Sequence, residues 1–190
     1  QAGIGKTQLL VYTALDRLLA GDAVLHVAVR ESVATVRDAY DSILAGLYMA
    51  SSPGERAEAM LGVERRRVIH STRGGAVDVA KLLSLLETVS DIMDMRPQLV
   101  VVDGQAPQAA DLPALRALAA AHGVGIWFAW TPDVGETAVG DVVLELAYSN
   151  DSLWLRPIKG PAHEAVRVPR GGDARAPAEE RFAEQVVRSD

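Results

Sequence analysis

The sequence predicts an α/β fold in which a mostly parallel sheet carries helices on both faces and an antiparallel hairpin lies at one edge. Helix-like and strand-like segments alternate along most of the chain with short connections, which is typical of right-handed βαβ units. Two strand-like segments, 23–29 and 98–103, are apolar almost throughout, as in parallel strands that are buried on both faces. The sheet is therefore expected to be an internal layer.

The individual elements follow from hydrophobic spacing and from turn residues. Segments with apolar residues at helical spacing are predicted helices: 8–19, 35–49, 56–61, 79–96 and 111–122. Apolar runs bounded by turn residues are predicted strands: 23–29, 66–72, 98–103, 124–130, 141–149 and 152–158. We expect a loop at 51–55, an N-cap at Asp78, a helix stop at Pro97 and a hairpin turn at Asn150 and Asp151.

Composition narrows the classes of function. The chain has no cysteine, which excludes disulfides and thiolate metal sites and favours a cytoplasmic location. No apolar run reaches the roughly 18 residues of a membrane span. The net charge of −6 argues against broad binding to nucleic acid, which depends on many cations. One domain is expected over 1–167, followed by a loose tail over 168–190 in which 178–187 could form a helix.

The first residues, "QAGIGKTQLL", contain the end of a phosphate-binding loop. The pattern is G-x-x-x-x-G-K-[ST], and its first glycine would fall one residue before Gln1. In such a loop, glycines allow backbone N–H groups to face the phosphates, a lysine reaches the outer phosphates and a hydroxyl binds Mg²⁺. The alternative is a glycine-rich turn before a helix, with Lys6 and Thr7 there by chance.

A second feature favours the nucleotide-site interpretation. The run "LVVVD" is a buried strand that ends in Asp103. An aspartate at this place can hold the Mg²⁺ of a bound nucleotide, although a carboxylate at a strand end is also a common turn residue. Because ligands of open α/β sheets bind outside the carboxyl ends of the strands, Asp103 and the glycine-rich loop are expected to meet.

With these two motifs the chain resembles the RecA-like branch of P-loop ATPases, of the RadA and KaiC type. The resembling segments occur in the family's order: "QAGIGKTQLL", "AVLHVAVRES", "RPQLVVVDG", "LRALAAAHGVGIWFAW" and "GDVVLEL…LWLRPIKG". The resemblance implies a three-layer P-loop fold whose first strand precedes residue 1, binding of ATP with Mg²⁺, and assembly into a homo-oligomer. The implied nucleotide-binding residues are Gly3, Ile4, Gly5, Lys6, Thr7 and Gln8, and the implied metal ligands are Thr7 and Asp103.

Catalytic positions depart from the family pattern. The family carries one or two acidic residues before the serine that corresponds to Ser32, whereas this chain has Arg30 and Glu31. We expect Glu31 to position the attacking water and Lys6 to stabilise the phosphates, but Glu31 also fits a solvated loop. A polar residue that senses the outer phosphate is replaced by Trp130, which cannot do the same job, and Thr131 is the nearest polar substitute.

Partners are predicted from charge and from the resemblance. Arg156 and Lys159 are candidates to reach a neighbouring subunit's nucleotide, or they are solvated cations at a strand end. The loop 131–140 contains two carboxylates and no cation, which does not support DNA binding, and the basic patch 65–67 fits a solvated junction. The predicted function is Mg²⁺-dependent ATP hydrolysis. The alternatives are a regulatory or assembly module that binds nucleotide without hydrolysing it and, last, a small-molecule kinase.

Overall fold

The computed structural model describes residues 5–72, 76–131, 139–149, 152–160 and 164–168. The chain divides into two compact units, 1–140 and 141–190. The predicted boundary after residue 167 stays a prediction, and the helix expected at 178–187 lies outside the described residues.

The first unit is built around a parallel sheet with the strand order β2-β1-β3-β4. Its strands are β1 (Ala23–Ala28), β2 (Arg67–Ser71), β3 (Pro97–Asp103) and β4 (Gly125–Ala129). Its helices are α1 (Lys6–Leu19), α2 (Val33–Leu47), α3 (Pro53–Arg66), α4 (Val79–Met93) and α5 (Leu112–His122), the last preceded by a 3₁₀ turn at Ala109–Asp111. The predicted α/β class is confirmed.

The two faces of this sheet bury separate clusters of side chains. Alternate residues of β1 and β3 pack against α1, α2 and α3, namely Val24, Ala28, Leu99 and Val101. The residues between them pack against α4 and α5, namely Leu25, Val27, Val100 and Val102. Since successive side chains of a strand point to opposite faces, this explains why both strands are apolar on every side. The prediction of helices on both faces is confirmed.

Helix α3 differs most from the prediction. The expected loop at 51–55 is wrong from Pro53 onward, because the helix begins there and continues to Arg66. The Ser52 hydroxyl accepts a hydrogen bond from the Glu55 N–H at 3.3 Å, and the Glu55 carboxylate accepts one from the Ser52 N–H at 2.8 Å. Proline at the first helical position completes a helix start, so the turn-forming residues serve as a cap.

Helix α4 ends earlier than predicted. Asp78 caps it as expected, accepting a hydrogen bond from the Lys81 N–H at 2.7 Å. Its last residue is Met93, since Asp94 adopts the left-handed conformation with φ 50°, which ends a helix. Pro97 therefore does not stop the helix but begins β3, where it pairs with Ala23.

The second unit contains an antiparallel sheet with the order β5-β6-β7. Its strands are β5 (Val143–Ser149), β6 (Ser152–Lys159) and β7 (Val166–Val168). The predicted hairpin is confirmed by the pairing of Ser149 with Ser152, while its two turn residues lie outside the described residues. Its predicted place at an edge of the parallel sheet is wrong for the described strands, because β6 pairs with β5 and β7 instead.

In the described parts of the chain, no helix combines the length and the apolar character needed to cross a membrane.

Candidate functional site

Helix α1 begins at the carboxyl edge of the parallel sheet with an uncapped first turn. Gly5 precedes it in the left-handed conformation, with φ 99° and ψ 16°, which favours glycine. No side chain of the described residues caps the helix. The first N–H groups of a helix lack intrahelical acceptors and carry the positive end of its dipole, so this turn suits an anion. Gly3 and Ile4 lie outside the described residues.

Thr7 and Asp103 meet although they are far apart in the sequence. Thr7 lies in the first turn of α1, and Asp103 is the last residue of β3, with only 7% of its surface exposed. The Thr7 hydroxyl lies beside the Asp103 carboxylate, where its capacity to donate a hydrogen bond acts to lower the pKa of that carboxyl. The second carboxylate oxygen, Oδ2, is buried and has no hydrogen-bond partner among the described residues.

The charges around Asp103 come from the other predicted site residues. Burial raises the pKa of the Asp103 carboxyl, and the negative charge of Glu31 adds to this rise. The hydrogen bond from Thr7 and the positive charge of Lys6 act in the opposite direction, and the pKa remains above its usual value. The structure therefore brings Lys6, Thr7, Glu31 and Asp103 into one electrostatic group at the carboxyl edge.

The loop after β1 is fixed through its backbone. The Ser71 hydroxyl at the end of β2 donates a hydrogen bond to the Glu31 carbonyl at 2.6 Å. Ser32 caps α2, accepting a hydrogen bond from the Thr35 N–H at 3.1 Å. The side chains of Arg30 and Glu31 are exposed between these anchors. Sequence reasoning missed Ser71, since nothing in the sequence signals a contact from its hydroxyl to the backbone of another loop.

The end of β4 completes the described edge. Gly104, with φ 96°, donates its N–H to the Ala129 carbonyl at 2.7 Å, which continues the strand pairing beyond Asp103. The next residue, Trp130, has a buried indole N–H that finds no partner in the described segments, and Thr131 is exposed. Most of the loop at 131–140 lies outside the described residues, so the expectation on DNA binding is untested.

Three further residues were predicted for the site, namely Gln8, Arg156 and Lys159. Gln8 is exposed on α1. Arg156 belongs to the second unit, where its Nε donates to Glu145 Oε2 at 3.0 Å, and Lys159 is exposed at the end of β6. Their predicted action on a neighbouring subunit stays a prediction.

A buried polar cluster lies on the face of β1 that α1, α2 and α3 cover. His26 is fully buried, and its Nδ1 lies 3.1 Å from the Tyr40 hydroxyl. Burial, with the nearby charge of Arg67, lowers the pKa of His26 to about 4. The Arg67 guanidinium lies 4.6 Å from the centre of the Tyr40 ring and pairs with Glu64. Arg67 therefore does not belong to the solvated basic patch that was predicted over 65–67. Only Arg65 and Arg66 of that patch remain.

No family model matches this chain in a scan of protein families, and a search of curated proteins gives no significant match.

Proposed function

We propose that this chain is the nucleotide-binding part of a RecA-like P-loop protein that binds ATP with Mg²⁺ and hydrolyses it. The observation that carries the proposal is the placement of the Thr7 hydroxyl beside the Asp103 carboxylate. A chance Gly-Lys-Thr turn has no reason to meet an aspartate at the end of a buried strand of the sheet. A phosphate site requires this meeting, because both residues act on one metal ion.

The residues at this edge fit a magnesium ion. Mg²⁺ prefers oxygen ligands and is bound through one or two protein groups together with waters and phosphates. The Thr7 hydroxyl and the Asp103 carboxylate supply such oxygens, and the buried Oδ2 of Asp103 has no hydrogen-bond partner among the described residues. When bound, the ion would neutralise charge on the phosphates and favour the ionised form of Asp103.

The remaining residues have separate roles. Backbone N–H groups of the first turn of α1 bind phosphate oxygens, and Lys6 places a positive charge beside them. Glu31 orients the attacking water through its exposed carboxylate, while Ser71 holds the backbone of the loop that carries it. Catalysis of this kind depends on positioning and on fixed charges rather than on covalent intermediates.

The strand order of the parallel sheet leaves a position beside β4 for one more strand. The connection from β1 to β2 crosses the face that α2 and α3 cover, and α1 lies on the same face. Because such connections are right-handed, a strand leading into α1 must lie on the opposite side of β1 from β2. β3 and β4 fill that side, so the strand belongs beyond β4, where Trp127 is 41% exposed. A strand leading into α1 would therefore pair there.

Substitution of Lys6 tests the proposal. Lys6→Ala in the full-length protein should weaken ATP binding by at least about tenfold, measured by titration calorimetry with MgATP. Lys81→Ala is the matched control, because Lys81 is exposed on α4 and only its backbone N–H contributes to the helix cap. Unchanged affinity in Lys6→Ala would refute the site.

A second candidate function is a nucleotide-responsive regulator without hydrolysis. It is favoured by the exposed Arg30 at the place of a usual acidic residue and by Trp130 at the place of a polar one. Phosphate release from ATP separates the two functions. Binding of ATP without release of phosphate would support the regulator and contradict the ATPase.

A further inference from the structure

A cleft of about 500 Å³ opens at the amino edge of the parallel sheet, away from Asp103. Its walls include Gln98 near the start of β3, whereas Asp103 ends the same strand. At about 3.3 Å per residue the two positions are roughly 16 Å apart along β3. The cleft is therefore separate from the proposed nucleotide site.

Three arginines converge on this cleft. Arg65 and Arg66 come from the last turn of α3, and Arg96 comes from the segment between α4 and β3. Among the described residues, Asp94 is the one acidic residue that lines it. None of the three arginines forms an ion pair within the described residues, although the chain as a whole has a net charge of −6.

In the described part of the chain, the carbonyl groups at the nearby helix ends do not accept hydrogen bonds from these arginines. The carboxyl ends of α1, α3 and α4 each contribute about half a negative charge, so together with Asp94 they offset most of the three positive charges. However, none of the three guanidinium groups donates a hydrogen bond to a helix carbonyl within the described part of the chain, and the Nε of Arg66 is buried without a partner there. Their donors remain free for a ligand.

We propose that this cleft binds a small organic phosphate. Guanidinium groups bind phosphate oxygens through paired, charge-assisted hydrogen bonds, and three of them can hold a doubly charged anion. The volume falls within the range of small-molecule sites. Met93 and Met95 line the same cleft and supply an adaptable apolar wall for the organic part of the ligand.

The test uses pyrophosphate, which supplies the charged part alone, in titration calorimetry on the full-length protein. Lys6→Ala serves as the background, so that the proposed nucleotide site does not contribute. This variant should still bind pyrophosphate, and adding Arg65→Gln with Arg96→Gln should weaken binding by at least about tenfold. Arg37→Gln is the matched control, because Arg37 is an exposed arginine of α2 that does not line the cleft.

A substitution that is expected to raise the affinity controls for variants that lose binding because they misfold. Asp94→Asn removes the acidic residue from the cleft, and asparagine tolerates the left-handed conformation at this position. It should tighten pyrophosphate binding several-fold. Equal affinity in the double-arginine variant and its background, or no binding in Lys6→Ala, would overturn the proposal and leave the arginines as partners of the helix ends. Binding of single-stranded DNA but not of pyrophosphate would also overturn it.

Discussion

A double-mutant cycle between Thr7 and Asp103 measures the contact on which the proposed function depends. A hydrogen bond to a charged acceptor contributes about 1.5–3 kcal/mol to folding. Solvent screening reduces this little here, since Asp103 is 7% exposed. We therefore expect a coupling free energy of about 2 kcal/mol between Thr7→Val and Asp103→Ala.

Urea denaturation of the ligand-free protein provides the assay. With an m value of about 2 kcal/mol/M, a coupling of about 2 kcal/mol corresponds to roughly 1 M in the unfolding midpoint. Thr13→Val is the control from the same helix, because the Thr13 hydroxyl donates to the Leu9 carbonyl at 3.0 Å within α1. Thr13→Val and Asp103→Ala should be additive within about 0.5 kcal/mol. A coupling free energy within about 0.5 kcal/mol of zero between Thr7 and Asp103 would refute the contact between them.

Three further predictions concern catalysis and stability. Glu31→Gln should lower the rate of phosphate release at least about tenfold with little change in ATP affinity, and an unchanged rate would remove Glu31 from the mechanism. The pKa of His26 is lower in the folded chain than in the unfolded one, so protonation of His26 favours the unfolded chain. The contribution of His26 to the free energy of unfolding is complete above pH 6.5, and about 3 kcal/mol of it is lost as the pH drops towards 4. Denaturation across this range should show the loss in the natural protein and not in His26→Gln. Ser52→Ala should destabilise the protein by about 0.5–2 kcal/mol through loss of the α3 cap, and an unchanged thermal midpoint would contradict this.

Local patterns predicted what depends on local physics. The sequence predicts the apolar strands, the Asp78 cap and the end of the helix before Gly123, because burial and backbone conformation depend on neighbouring residues. The predicted start of α3 is wrong, because Ser52 and Pro53 favour both turns and helix starts. Only the hydrogen bonds between Ser52 and Glu55 decide between the two.

The site was predictable to the extent that it follows known motifs. The phosphate-loop pattern and a strand ending in aspartate led to Lys6, Thr7 and Asp103, and the rule that ligands bind at carboxyl ends predicted their meeting. Ser71 and the arginine cleft were not predictable, because each depends on contacts between segments distant in sequence. Arg67 shows the same limit, since Arg65 nearby in the sequence is exposed while Arg67 stacks on Tyr40.

The contact between Thr7 and Asp103 also bears on when the proposed site can form during synthesis. Thr7 leaves the ribosome first, and Asp103 follows almost a hundred residues later. At about 5–20 residues per second, Asp103 follows Thr7 by roughly 5–20 seconds. During that interval the nascent chain carries the phosphate-loop pattern without Asp103. If the chain binds nucleotide as we propose, nucleotide can therefore stabilise only a chain whose central strand is already in place.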